Sequence, residues 1–186
     1  MRGSSVWRRL GRDDGIALIV ALMAMMLLLP LGAALTLITT TETRIAANYR
    51  DGLDTLYAAD AGVELAVSEL RRVPNWTDVL NGTLTSALTA TMKPAGAPPR
   101  DENGHQWRLY ASGRLADMLG DASGNSEVHV AVWVAGDPLK NDVLTVRASA
   151  QGRGATRRNV EVTITRVAGI DPAAEPEIRR LSWRER

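Results

Sequence analysis

The sequence of 186 residues contains no cysteine, no phenylalanine and only two histidines. Without cysteine the chain has no disulfide framework, no thiolate nucleophile and no cysteine-ligated metal. An exported domain of this composition must therefore be stabilised by packing alone. The formal net charge is only +1, so the chain as a whole has no bias toward nucleic acid or toward a strongly acidic partner.

Motifs for catalysis and cofactor binding are also missing. The glycines form no phosphate-binding loop, and no serine or carboxylate has a recognisable nucleophile context. His129 lies on the polar face of an alternating strand pattern, where a solvated side chain is expected. Oxygen-bearing residues crowd one loop without the alternate spacing of a calcium loop: Asp117, Asp121, Asn125 and Glu127. We therefore predict a protein that is not an enzyme and that holds no cofactor and no metal.

Charge is absent from one long stretch, Gly15 to Thr41. Its roughly 27 residues at about 1.5 Å each span a hydrocarbon core of about 30 Å as a helix. The leader before it, residues 1–15, has four arginines against Asp13 and Asp14, a net charge of +2: Arg2, Arg8, Arg9 and Arg12. Arginines before an apolar run hold that end in the cytoplasm. Most of the chain is therefore expected on the other side of a membrane.

A proline lies in the middle of this run. Pro30 removes one backbone hydrogen bond and is expected to kink the helix, which membrane helices tolerate. The small residues Gly32, Ala33 and Ala34 follow, and they permit close packing between helices. They equally fit the small-x-small rule of a signal-peptidase site after Ala34. At this point the run is a removed signal peptide, a permanent anchor or something more specific.

Apolar residues continue beyond residue 41 with a helical period. Residues 42–73 carry them three or four apart, as one stripe of an amphipathic helix: Ile45, Tyr49, Leu53, Leu56, Val63, Val67 and Leu70. Pro74 ends this pattern. The apolar half, residues 16–41, and the amphipathic half, residues 42–73, together predict one rod of roughly 58 residues, or about 85 Å.

Residues 74–104 are rich in Pro, Thr, Ala and Gly and are predicted to be a linker, with a short helix around Thr77–Thr91. From 105 to 167, apolar and polar residues alternate in four segments joined by short turns, the pattern of an antiparallel meander. Residues 168–186 are charged and contain proline, and we expect a mobile tail there.

A sheet with one apolar face needs a cover, and residues 42–73 are the amphipathic helix available for it. The predicted fold class is α+β, with a long N-terminal helix packed on an antiparallel sheet of about four strands.

Basic residues collect around the last predicted hairpin, at Arg153, Arg157 and Arg158, with Arg147 and Arg166 nearby. Binding to DNA is one use of such a patch. A solvated edge that discourages aggregation is the commoner use. A nucleic acid is therefore not an expected partner.

Three stretches, taken in order, resemble the PilX group of type IV minor pilins and the related K-type pseudopilins of type II secretion systems. GIALIVALMAMMLLL, from Gly15, is similar to the start of that group. LYAADAGVELAVSEL, from Leu56, is similar to its alanine-rich helical segment, which usually has Glu where this chain has Asp60. GATRRNVEVTIT, from Gly154, resembles its closing strands. The basic leader, long helix and antiparallel sheet also match a type IV pilin-like architecture.

The resemblance implies a subunit that is processed and then assembled. A prepilin peptidase would cut after Gly15, and Ile16 would become the N-terminus and be N-methylated, although most members begin with Phe or Met. The implied partners are the inner membrane, the peptidase, and other pilins contacted through the N-terminal helix. The implied location is the bacterial inner membrane, as a single-pass protein with its C-terminal domain outside the cytoplasm, and the pilus after assembly.

One residue departs from the usual pilin pattern. Most pilins carry Glu at the fifth mature position, where it meets the N-terminal amine of a neighbour, but this chain has Val20. An acid in a bilayer costs a few kcal/mol unless it is paired, and a subunit that starts a filament has no subunit ahead of it. The PilX and K-type groups often lack this acid. We therefore expect a minor pilin at initiation or at the tip.

Three alternatives remain beside this expectation. The chain is also compatible with a pseudopilin of a type II secretion system, with a β-rich domain secreted after cleavage at Ala34, and with an uncleaved anchor that has no filament role. Asp13 and Asp14, directly before the apolar run, are poor features for a signal peptide.

Overall fold

The computed structural model describes residues 10–88, 98–99, 106–120, 127–137, 139–167 and 177–186. The chain divides into two units, Met1–Asn48 and Tyr49–Arg186. Helix α1 (Leu10–Arg72) contributes to both. The second unit also contains two short helices and a sheet in which antiparallel neighbours follow the order of the chain. These elements are α2 (Trp76–Asn81), β1 (Arg108–Arg114), α3 (Leu115–Met118), β2 (His129–Asp137), β3 (Lys140–Gln151), β4 (Arg157–Val167) and β5 (Glu177–Glu185).

The described part of the first unit is helical. The helix continues through Pro30, and the predicted kink there stays a prediction. Threonines toward the end of this unit donate their hydroxyl protons to backbone carbonyls three or four residues earlier: Thr36, Thr39, Thr40, Thr41 and Thr43. Because these hydroxyls are satisfied within the helix, they do not require water or a polar partner.

In the second unit, α1 lies against the sheet through a face of small residues. Ala59, Val63 and Ala66 are fully buried there. The facing sheet residues are aliphatic and also fully buried: Val130, Val132, Val134, Leu144, Val146, Val160, Val162 and Ile164. At Gly62 a Cβ atom would lie only 2.5 Å from Val130 Cγ1, so the helix approaches the sheet more closely than a larger residue allows. The predicted fold class, a long helix packed on an antiparallel sheet, is confirmed.

The predicted apolar stripe is correct in its later part and wrong at its beginning. Val63, Val67 and Leu70 are buried, but Ile45 and Tyr49 are 62% and 69% exposed. Periodicity shows which residues share a helix face. It does not show where along the helix a sheet covers that face.

The second face of the sheet is also partly buried, which differs from the predicted solvated face. Trp133 and Glu161 are only 7% and 6% exposed. Arg147 Nε donates to Glu161 Oε2 at 2.8 Å, and the Arg147 guanidinium lies 4.6 Å from the centre of the Trp107 ring. Arg186 Nε is 3.3 Å from the same carboxylate oxygen. The buried charge of Glu161 is therefore compensated by guanidinium groups.

Two strands differ from the prediction. The register of β1 shifts between Leu109 and Ala111, so Tyr110, which simple alternation placed on the polar face, is buried and only 5% exposed. The end of the chain, expected to be a mobile tail, forms β5 beside β4 over residues 177–185, so the sheet has five strands. The rest of that predicted tail, residues 168–176, lies outside the described residues.

Two contacts attach β5 to α1. Trp183 Nε1 donates to Asp60 Oδ1 at 3.2 Å, and Arg180 pairs with Glu64. The strand therefore joins the fold through its side chains as well as through its backbone ladder with β4.

Side chains donate hydrogen bonds to backbone carbonyls at and just after the C-terminal end of α1. Trp76 Nε1 donates to the Leu70 carbonyl at 3.1 Å, and Arg166 donates to the carbonyls of Val73 and Pro74 at 2.6 Å each. The Arg166 guanidinium also lies 4.6 Å from the centre of the Trp76 ring. Carbonyls that a helix end leaves unpaired are thus satisfied by side chains.

The predicted linker begins with a shorter helix than expected. The described helix is α2, Trp76–Asn81, in place of Thr77–Thr91. Asn75 caps it by accepting a hydrogen bond from Thr77 N at 3.0 Å. Part of the predicted helix, residues 89–91, lies outside the described residues.

Candidate assembly surface and basic patch

The described part of the first unit is a helix that carries no charged residue from Gly15 to Thr41. Every residue from 15 to 48 is exposed, including Met26, Leu27 and Leu29 at 77%, 74% and 75%. The mean hydropathy reaches 2.6 in this part of α1, which makes it the one described helix that is long and apolar enough to cross a membrane. A continuous apolar surface of this size requires a nonaqueous environment, which a bilayer or other apolar helices provide.

The residues predicted for processing lie at the beginning of this surface. Gly15 and Ile16 are inside α1, and Ile16 is 61% exposed. A Cβ atom added at Gly15 would meet nothing within 4 Å. Residues 1–9 of the predicted leader lie outside the described residues. Cleavage and N-methylation stay predictions.

Val20 lies on the same apolar surface and is 60% exposed. No charged residue occurs between Gly15 and Thr41. The part of α1 from Gly15 to Thr41 therefore offers no carboxylate to pair with the amine of a neighbouring chain.

The family comparison matches this helix. Residues 14–64 match the family model described as PilX N-terminal. This match supports a type IV pilus minor pilin of the PilX family. No curated protein and no solved structure gives a significant match. The matched range of this minor pilin begins one residue before the predicted cleavage point and extends into the part of α1 that packs on the sheet.

Pilins of the PilX family are structural components of the pilus, and the match supports such a role for this chain. Its partners are the membrane and other pilus components, and its apolar helix fits a membrane-anchored subunit.

The predicted basic patch is divided by ion pairs. Arg153 Nε lies 3.4 Å from Glu127, and Arg158 Nη1 lies 3.1 Å from Glu185. Arg157 is exposed. The two paired arginines carry their own counter-charges, so the three residues do not form a continuous positive surface.

The acidic loop considered for calcium is likewise engaged in ion pairs where the structure describes it. Arg114 donates from Nε and Nη2 to the two carboxylate oxygens of Asp117 at 2.9 and 2.8 Å. These hydrogen bonds lower the pKa of Asp117 below its ordinary value. Asp121 and Asn125 lie outside the described residues. Within the described ranges, no group of three or more His, Asp or Glu side chains is placed to hold a metal.

Sequence reasoning missed a polar anchor between α1 and the segment after α2. Glu69 accepts hydrogen bonds from Ser86 Oγ at 2.5 Å and from Ala87 N at 2.8 Å. Burial, followed by the nearby Glu69 carboxylate, raises the pKa of Tyr110 above its ordinary value. The partners are 17 and 18 residues apart, and no local motif identifies them.

Proposed function

We propose that this minor pilin acts at the initiation of pilus assembly or at the pilus tip. The observation that carries the proposal is Val20, an exposed aliphatic residue at the fifth position after the predicted cleavage point. An acid at that position needs the amine of a neighbouring subunit to compensate its charge in an apolar environment. An aliphatic residue needs no such neighbour, so the pilin tolerates a position with no subunit ahead of it.

The proposed mechanism uses one apolar surface twice. Residues 16–41 hold the pilin in the inner membrane, with the second unit outside the cytoplasm. A prepilin peptidase cuts after Gly15, Ile16 is methylated, and the same residues then pack against the helices of other pilins. Lipid and helix surfaces are similarly apolar, so the transfer depends on packing contacts rather than on leaving water.

The mature N-terminus tests the processing step. Mass spectrometry of the pilin isolated from the producing cells should find N-methylated Ile16. A chain that begins at Leu35 would show signal-peptidase cleavage after Ala34, and a chain that begins at Met1 would show an uncleaved anchor. Either of these results contradicts the proposal.

The position in the filament is tested by labelling the pilin on purified pili. Few copies, located at one end, are expected for the natural pilin and for Val20→Leu, which remains aliphatic. Val20→Glu should increase labelling along the shaft, because the new carboxylate can pair with the amine of a neighbour. Abundant, even labelling of the natural pilin contradicts the proposal, as does co-purification with a secretion apparatus instead of pili.

A further inference from the structure

A polar cavity of about 280 Å³ lies on the face of the sheet that points away from α1. Its walls include Trp133, Arg147, Ser149, Arg157 and Asn159. These five residues come from three neighbouring strands, β2, β3 and β4. The cavity is therefore built on the most regular part of the fold rather than on a loop.

The strand register sets the order of the side chains along this cavity. Trp133 pairs with Arg147 across the β2–β3 ladder, and Ser149 pairs with Asn159 across the β3–β4 ladder. Arg157 lies two residues before Asn159, on the same face. Residues two apart on a strand are about 7 Å apart. Trp133 and Arg147 therefore lie at one end of the cavity and Arg157 lies at the other. The hydroxyl of Ser149 and the amide of Asn159 lie between them.

The two arginines differ in whether a carboxylate compensates their positive charge. Arg147 is compensated by Glu161. Arg157 is exposed, has no ion pair with the residues that the structure describes, and no acidic side chain is among the lining residues. Among the described residues that line the cavity, Arg157 is therefore the one positive charge without a compensating carboxylate, and it lies next to neutral groups that donate and accept hydrogen bonds.

The remaining described lining residues are two prolines. Pro98 and Pro99 complete the lining beside Trp133. An arginine binds a carboxylate with charge-assisted hydrogen bonds, Ser149 and Asn159 suit hydroxyl groups, and Trp133 with the prolines suits the apolar face of a ring. The volume admits a single small ring rather than a bulky group.

We propose that this cavity binds an acidic sugar unit, with its carboxylate on Arg157 and its hydroxyls on Ser149 and Asn159. The ligand class is a uronic acid residue of a polysaccharide. This inference does not depend on whether the pilin acts at the tip, because it concerns the sheet and not the N-terminal helix.

The test uses the full-length pilin in detergent micelles and a trisaccharide of galacturonic acid, with a neutral galactose trisaccharide as the matched ligand. Titration calorimetry should show saturable binding of the acidic trisaccharide alone. Arg157→Gln should weaken it by about tenfold or more, since a hydrogen bond to a charged group contributes this much. Arg153→Gln, an exposed arginine outside the cavity, should leave the affinity unchanged.

A second variant separates binding from folding. Ser149→Ala keeps the charge of the cavity and should weaken binding severalfold, and near-ultraviolet circular dichroism should show a folded domain. No saturable binding of the acidic trisaccharide overturns the inference, as does equal binding of the neutral one or equal loss with Arg153→Gln. Salt-dependent binding of single-stranded DNA that requires Arg157 and that the trisaccharide does not displace would assign the site to nucleic acid and overturn it too.

Discussion

The two parts of α1 use opposite kinds of side chain. In the first unit the helix exposes large, flexible residues such as Leu29, which is 75% exposed. In the second unit it buries small ones such as Ala59 and Ala66, which are fully buried. Large exposed aliphatic residues obtain their partners from outside the chain, whereas small buried ones let the helix lie close to a sheet that the chain itself supplies. One helix thus combines an exposed apolar part with a part that packs into the core of the second unit.

The largest difference in stability is expected when a leucine is replaced by alanine in each of the two parts of α1. Leu70→Ala should lower the free energy of unfolding of the second unit by about 2–5 kcal/mol, because a fully buried leucine leaves a cavity. Leu29→Ala should leave it unchanged. Thermal unfolding of the pilin in micelles, followed by near-ultraviolet circular dichroism, measures both. Equal melting temperatures for the two variants would remove the distinction between the parts.

The glycines of α1 provide the second comparison. Gly62→Val should destabilise the second unit by about 1–3 kcal/mol through overpacking, since a Cβ there lies 2.5 Å from Val130 Cγ1. At Gly32 a Cβ meets nothing within 4 Å, so Gly32→Val should not change unfolding. The same thermal measurement applies. Normal unfolding of Gly62→Val would show that the helix is not held as closely to the sheet as described.

A third, somewhat smaller change in stability is expected at the C-terminal end of α1. Arg166→Ala removes the hydrogen bonds to the Val73 and Pro74 carbonyls and should cost about 2 kcal/mol. Arg166→Lys should recover part of this loss, because lysine keeps the charge but not the planar group. Chemical denaturation in micelles measures the difference. The exposed Arg179 is the control, and an equal effect of Arg179→Ala would refute a specific capping role.

The smallest effect concerns pH. Because Arg114 lowers the pKa of Asp117 in the folded unit, the carboxylate contributes stability above its unfolded pKa, and this contribution is lost as pH falls through the folded pKa. Both groups are exposed, so the change in stability should be slight. Titration of Asp117 followed by NMR should show a midpoint that rises in Arg114→Ala and not in Arg153→Ala. An unchanged midpoint in Arg114→Ala contradicts the ion pair.

Local patterns were sufficient for much of the fold. The uncharged run, the amphipathic continuation and four alternating segments predicted α1 and β1 to β4, because each depends on a period within one element. β5 was missed because its ladder skips Leu181, as Thr163 pairs with Ser182 and Ile164 pairs with Arg180. A bulge of this kind breaks the alternation that identifies a strand.

The candidate sites likewise divide into those that a local pattern indicates and those that depend on distant residues. Gly15, Ile16 and Val20 stay predictions, which the resemblance to the PilX group implies from their positions at the start of the uncharged run. The division of the basic patch was not predictable, since it depends on Glu127 and Glu185, acidic residues 26 and 27 positions away from their arginine partners. The cavity at Arg157 required the register of three strands.

The sequence by itself determined an apolar helix without cysteine or charge, its amphipathic continuation and the aliphatic residue at Val20, because these are properties of neighbouring residues. Only the tertiary structure decided that the helix meets its core from Thr55 onward and that the chain end adds a fifth strand. It also decided that Arg166 binds the two carbonyls directly after the helix, 92 and 93 residues away. Such contacts depend on which surfaces meet in space, and no local period of the sequence records that.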